Sequence, residues 1–180
     1  MKNLLFLLCF LPLLSWSQMV IKERDGFIYA TTNSVEFLNG QYKGLLKCTL
    51  SKYFEPQTKK YTYDLSLVFR DRDKHDLKGG EKVLFKFSDN SILELENIND
   101  RYASYSSSGY YNSFICDLTK EQIEQIKDKS LVKLRLGFYQ PKDYEIKESQ
   151  AVDFKKIIQD LLNCDLEKTK KDDIDIYKGF

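Results

Sequence analysis

"GLLKCTLSKYFEPQTKKYTYDLSLVF", residues 44–69, alternates apolar and polar side chains on either side of a charged break. Successive side chains of a β-strand point to opposite faces. Leu46, Cys48 and Leu50 therefore share one face of the first half, and Tyr61, Tyr63, Leu65, Leu67 and Phe69 share one face of the second. The segment "EPQTKK", residues 55–60, reads as the turn between them. Two amphipathic strands joined in this way bury one face and wet the other, which makes antiparallel sheet the main material of the fold.

The same pattern recurs on both sides. "MVIKERDGFIYAT", residues 19–31, alternates around Asp25-Gly26, a pair that tolerates the positive φ of a tight turn, and predicts a first, edge hairpin. A charged loop, "RDRDKHDLKGG", leads to "KVLFKF" and "ILELE", which "SDNS" joins into a further hairpin with Val83, Phe85 and Phe87 on one face. "SFICDL" is a short strand with Phe114, Cys116 and Leu118 on one side, and it runs into a helix-start signal. Thr119 can cap the amide of Gln122, Gln122 can return the bond, and Leu118 can pack on Ile123, so a short helix through about Lys127 is expected. "LVKLRLGF" sets Val132, Leu134, Leu136 and Phe138 on one face; "QPKD" turns the chain and "YEIKE" returns it. Ser149 is expected to cap a last helix, whose Ala151, Phe154, Ile157, Ile158, Leu161 and Leu162 recur at helical spacing. The order of elements predicts a single α+β domain over 18–164, mainly antiparallel β-sheet, with a short helix and a C-terminal amphipathic helix packed on one face. Residues 165–180, mostly charged, are expected to form a flexible tail.

The start, "MKNLLFLLCFLPLLSWSQ", places Lys2 before an apolar run from Leu4 to Leu14 and then small residues Ser15 and Ser17. That order is a secretory signal peptide over residues 1–17. The run is too short to span a bilayer, and Cys9 follows Leu8 inside it rather than a small residue, so neither a stable membrane anchor nor a lipoprotein is expected. The mature chain is read as periplasmic or secreted. Its removal takes one lysine from 28 basic residues and leaves the 27 acidic ones, so the balance is neutral and nucleic acid is not an expected partner. Three cysteines remain, at most one bridge can form, and Cys48 with Cys164 is the favoured pair because Cys116 reads as a mid-strand core residue.

From Cys48 onward the chain resembles a group of small exported bacterial proteins of unknown function. The resemblance is carried by "KCTLSKYFEPQTKKY", "KGGEKVLFKFSDNSILELEN", "LTKEQIEQIKDKSLVKLRLGF" and the closing "LLNC". It implies export and one domain, and brings no activity with it.

Catalytic patterns are scarce. His75, the one histidine, lies among Asp71, Asp73 and Asp76, but counting from Asp71 puts Asp76 where a calcium loop needs glycine and Lys82 where it needs a carboxylate. The segment reads as a solvated loop, and no metal or cofactor is expected. No "GxSxG", "HExxH", "CxxC" or phosphate loop occurs, and Cys48 and Cys116 take inward strand positions. Glu94 and Glu96 read as the wet side of a strand.

There remains "YASYSSSGYY", residues 102–111, uncharged in a chain of which 31% is charged. Tyrosine offers large contact area with few rotatable bonds, and serine and glycine offer adaptable polar contacts. Extending parity backward from Phe114 and Cys116 turns Asn112 and Tyr110 inward and leaves Tyr102, Tyr105 and Tyr111 as binding candidates. The expectation is a noncatalytic binding or envelope-associated module for a protein, peptide or glycan of the cell envelope. The competing readings are a small hydrolase using a cysteine or His75, and a carrier of an apolar ligand. The bland reading of the stretch is a flexible connection whose tyrosines are partly packed.

Overall fold

A computed structural model describes residues 19–24, 26–38, 45–137 and 141–167. The expected signal peptide, Phe138 and the tail from residue 168 lie outside the described residues.

The expected hairpin forms over 45–69, with its turn at 56–59 because Glu55 and Lys60 still pair. β4 (Leu45–Glu55) and β5 (Lys60–Asp71) pair from Leu46↔Phe69 to Glu55↔Lys60. The chain reverses at Lys59, whose φ of 56° and amide bond to the Glu55 carbonyl close the turn. Around this pair lies a seven-stranded antiparallel sheet in the order β1-β2-β4-β5-β9-β8. It comprises β1 (Val20–Arg24), β2 (Phe27–Thr31), β8 (Ser104–Ser106) and β9 (Gly109–Leu118), with β3 (Val35–Leu38) also on β4. β2 and β3 share one edge of β4, each covering half of it, and Thr32 bridges the gap by exchanging bonds with Leu50.

A second, four-stranded sheet runs β11-β10-β6-β7, from β6 (Lys82–Phe87), β7 (Ile92–Glu96), β10 (Leu131–Leu136) and β11 (Lys142–Glu145). Its "SDNS" turn is built by Asn90 at φ 65° and by Asp89, whose carboxylate accepts from the amide and hydroxyl of Ser91. Inward residues of both sheets join one core, with Leu67, Phe69 and Phe114 from the first and Val83, Phe85 and Leu134 from the second. The corner between the sheets is held by buried Asn97. Its amide donates to the Lys78 and Asn99 carbonyls, its side-chain oxygen accepts from Ile115 N–H in β9, and its backbone pairs with Gly80 and Glu81.

Three local expectations need correction. In β10 the register slips between Leu131 and Lys133, and this bulge turns Leu131 inward where strict alternation put Val132. The last helix, α2 (Glu148–Asn163), starts before Ser149: its N-cap is Lys147, because Gln150 reaches back to accept the Lys147 amide while donating to the Glu36 carbonyl. The packed chain also continues beyond residue 164, since Leu166 is fully buried against Ile28, Ala30 and Phe54. By contrast α1 (Lys120–Ile126) carries the reciprocal Thr119–Gln122 cap as expected. α2 sets Phe154 against Phe37 of β3 and Phe85 of β6, so its apolar side touches both sheets. No helix among the described residues is long and apolar enough to cross a membrane.

On the wet face of the second sheet Asp143 binds Arg135 through two nitrogens and Lys133 through a third, and this holds its carboxyl at about 2. Folding thus lowers this pKa from its ordinary 3.8. The resulting stabilisation is complete above the unfolded value and is lost as pH falls through about 2. Melting temperature measured by circular dichroism should fall less steeply between about pH 4 and pH 2 in Asp143→Asn than in the parent chain, with the variant the less stable of the two at neutral pH.

Candidate functional site

The uncharged tyrosine stretch is a hairpin at the edge of the larger sheet. β8 pairs with β9 as Ser104↔Tyr111, Tyr105↔Tyr110 and Ser106↔Gly109, and Ser107-Ser108 make the turn. The serines build that turn: Ser106 Oγ accepts from the Ser108 amide and lies 3.1 Å from Ser108 Oγ, which in turn lies 3.0 Å from the Tyr111 hydroxyl. Gly109 is required here, because its φ is +128° and a Cβ would stand 2.5 Å from the Asp71 carbonyl oxygen. A connection without structure of its own would show none of these bonds.

The tyrosines divide into two kinds. Tyr102 and Tyr105 are 77% and 71% exposed. Tyr111 faces outward as parity requires, but it is half-buried and its hydroxyl is held by Ser108 and by Arg70, which together lower its pKa. Inward parity holds through buried Asn112, whose amide donates to the His75 and Arg101 carbonyls. Tyr110 on the same side is half-buried, with the Tyr105 ring tilted against it at 5.1 Å.

Beside the hairpin lies a depression of about 380 Å³ walled by Tyr102, Tyr111, Ser104, Ser113, Val68 and Arg101. Arg101 was not singled out in the sequence, although it immediately precedes the tyrosine stretch. Among the described residues no carboxylate pairs with it, and its Nε is shut from water without an acceptor.

A second depression, of about 510 Å³, lies at the other end of the same sheet around Lys52. Lys52 occupies an inward position of β4, in line with Leu46, Cys48 and Leu50, and is 7% exposed. Its ammonium donates to the Cys164 carbonyl at the end of α2, 2.6 Å away, and sits 4.8 Å from the Tyr61 ring centroid. Burial lowers its pKa. The placement puts a cation on the negative end of a helix, which ties α2 to the sheet.

The other sequence candidates fall elsewhere. Asp71, Asp73 and His75 do come together, with ligand atoms within 4.8 Å of one another, but the Lys142 ammonium pairs with Asp71 and supplies a cation there. Asp76 is turned away, bound to the Ala103 amide and to Lys74. Cys48, Cys116 and Cys164 are free thiols, so the favoured Cys48–Cys164 bridge is not formed. The reason is distance along β4. Cys164 meets the strand at Lys52, four residues and roughly 13 Å from Cys48, whereas bridged Cα atoms lie within about 7 Å. Burial pushes the Cys48 thiol up and Cys116 to about 12, which leaves both protonated and poor nucleophiles.

Comparison with protein-family models, with curated proteins and with solved structures found no match for this chain.

Proposed function

We propose that this chain is an exported, noncatalytic binding module of the cell envelope, holding a protein, peptide or glycan through the β8–β9 hairpin. One observation carries the reading: Tyr105 on β8 and Tyr102 just before it present their rings to solvent beside a turn that serine hydroxyls and Gly109 hold in one shape. Rings presented from a rigid scaffold lose little freedom on binding, so most of their contact area contributes to affinity. Export is supported by the order of Lys2, apolar run and small residues at the start, and by the resemblance to small exported bacterial proteins. The protonated, buried thiols of Cys48 and Cys116 weigh against the hydrolase alternative.

A Tyr102→Ser, Tyr105→Ser double variant tests this. Both rings are solvent-exposed, so its melting temperature should stay within about 2 °C of the parent. Binding of whichever envelope glycan or protein the immobilised parent chain retains should weaken at least tenfold. A variant that is stable and binds unchanged would refute the proposed role.

A further inference from the structure

We propose that the depression beside the hairpin is a saccharide subsite in which Arg101 takes the carboxylate of an acidic sugar. The inference rests on the binding role proposed above and names its ligand class. Three features converge.

The first is the arginine. A guanidinium presents N–H groups in a planar fork that matches a carboxylate's two oxygens, and such groups are ordinarily engaged when out of water. Arg101 is not engaged: its Nε is inaccessible and lacks an acceptor, and no ion pair reaches its side chain among the described residues. The nearby carboxylate of Asp76 is spent on the Ala103 amide and Lys74. An anion arriving in the depression would meet, at its wall, a guanidinium whose charge no carboxylate among the described residues neutralises.

The second is the wall. Tyr102 and Tyr111 both line the depression. The negative face of such a ring attracts the weakly positive C–H face of a pyranose while its rim remains polar. Ser104 and Ser113 add hydroxyls that both donate and accept, as sugar hydroxyls do.

The third is rigidity. The Arg101 backbone exchanges two bonds with Leu77, and its carbonyl accepts from Asn112. The Tyr111 hydroxyl is fixed by Ser108 and Arg70. A free peptide C-terminus could pair with Arg101 too, but it carries fewer hydroxyls for the serines than a saccharide does.

The test uses the mature chain and four probes: oligogalacturonate, oligosialate, and the methyl ester of each. The parent chain should bind at least one acidic oligomer tenfold or more tightly than its ester by isothermal titration. Arg101→Gln should erase that preference and leave the melting temperature equal or higher, since it removes an unsatisfied buried N–H. Arg101→Lys, which keeps charge but not the fork, should retain only part of the preference.

Equal affinity for acid and ester, no binding of any probe, or an Arg101→Gln variant that keeps the preference would each overturn the inference. So would tighter binding of a short peptide with a free C-terminus than of either oligomer, when the peptide amide does not bind. A lower melting temperature in Arg101→Gln with the preference intact would make Arg101 structural. If a partner is lost on changing Tyr102 and Tyr105 but kept on changing Arg101, the subsite fails and the binding module stands. If neither change affects binding, both fail.

Discussion

Phe154→Ala should lower the free energy of unfolding by about 3 to 5 kcal/mol, the upper range for truncating a buried aromatic. The ring is 1% exposed and lies 6.3 Å from the Phe37 centroid and 5.9 Å from that of Phe85. Those partners belong to different sheets, so neither can follow the lost ring without leaving its own strand register, and the cavity stays open. Urea titration should show the midpoint falling with the slope unchanged. Val152→Ala, on the exposed side of the same helix, should change stability by less than about 0.5 kcal/mol. A cost below about 1 kcal/mol for Phe154→Ala would show that α2 does not lock the two sheets together.

Asn97→Ala should cost about 2 to 4 kcal/mol, since a buried group deprived of its partner loses about 1 to 3 kcal/mol. Its side chain satisfies three backbone groups, the Lys78 and Asn99 carbonyls and the Ile115 amide, in a place that is 2% exposed. Alanine strands all three. Asn97→Asp should be no milder, because a carboxylate can still accept from Ile115 but cannot donate to the two carbonyls. Hydrogen exchange offers a direct readout. The Ile98 and Ile115 amides, both bonded across this corner, should lose protection before those of the β4–β5 pair. Asn97 lies four residues before Arg101, and loosening the corner should also weaken the depression beside the tyrosine hairpin. Equal protection at Ile115 in parent and variant would remove Asn97 from this role.

Two residues show why a site of this kind is hard to read from a sequence. Asn97 and Arg101 stand in a polar run, "NINDR", with no periodicity to mark either as unusual. What distinguishes them is the company they keep. Asn97 meets Lys78 and Ile115, and Arg101 meets Leu77 and Asn112. Lys52 was closer to being legible, because the alternation that turned Leu46, Cys48 and Leu50 inward also turns the lysine inward. An inward lysine on an otherwise apolar strand face is the signal that could have found it.

The tyrosine hairpin lies between these cases. Parity from Phe114 and Cys116 put Asn112 inside and Tyr111 outside, and the exposure of Tyr102 and Tyr105 follows from composition and place. It could not show that the serines bond one another to shape the turn, nor that Tyr111 is held by Ser108 and Arg70.

Local chemistry along the chain was enough to determine the hairpins at 44–69 and 82–96, the Thr119–Gln122 cap, the apolar side of α2 and the antiparallel character of the whole. These depend on side-chain period and on bonds between residues a few positions apart, which a sequence states directly. Only the tertiary structure decided that the strands divide into two sheets, that β2 and β3 share one edge of β4, that β10 bulges at Leu131, and that Cys164 meets Lys52 and not Cys48. Each of those is a choice among partners far apart in the chain, settled by which pairing buries the most apolar surface while leaving the fewest backbone groups without a bond.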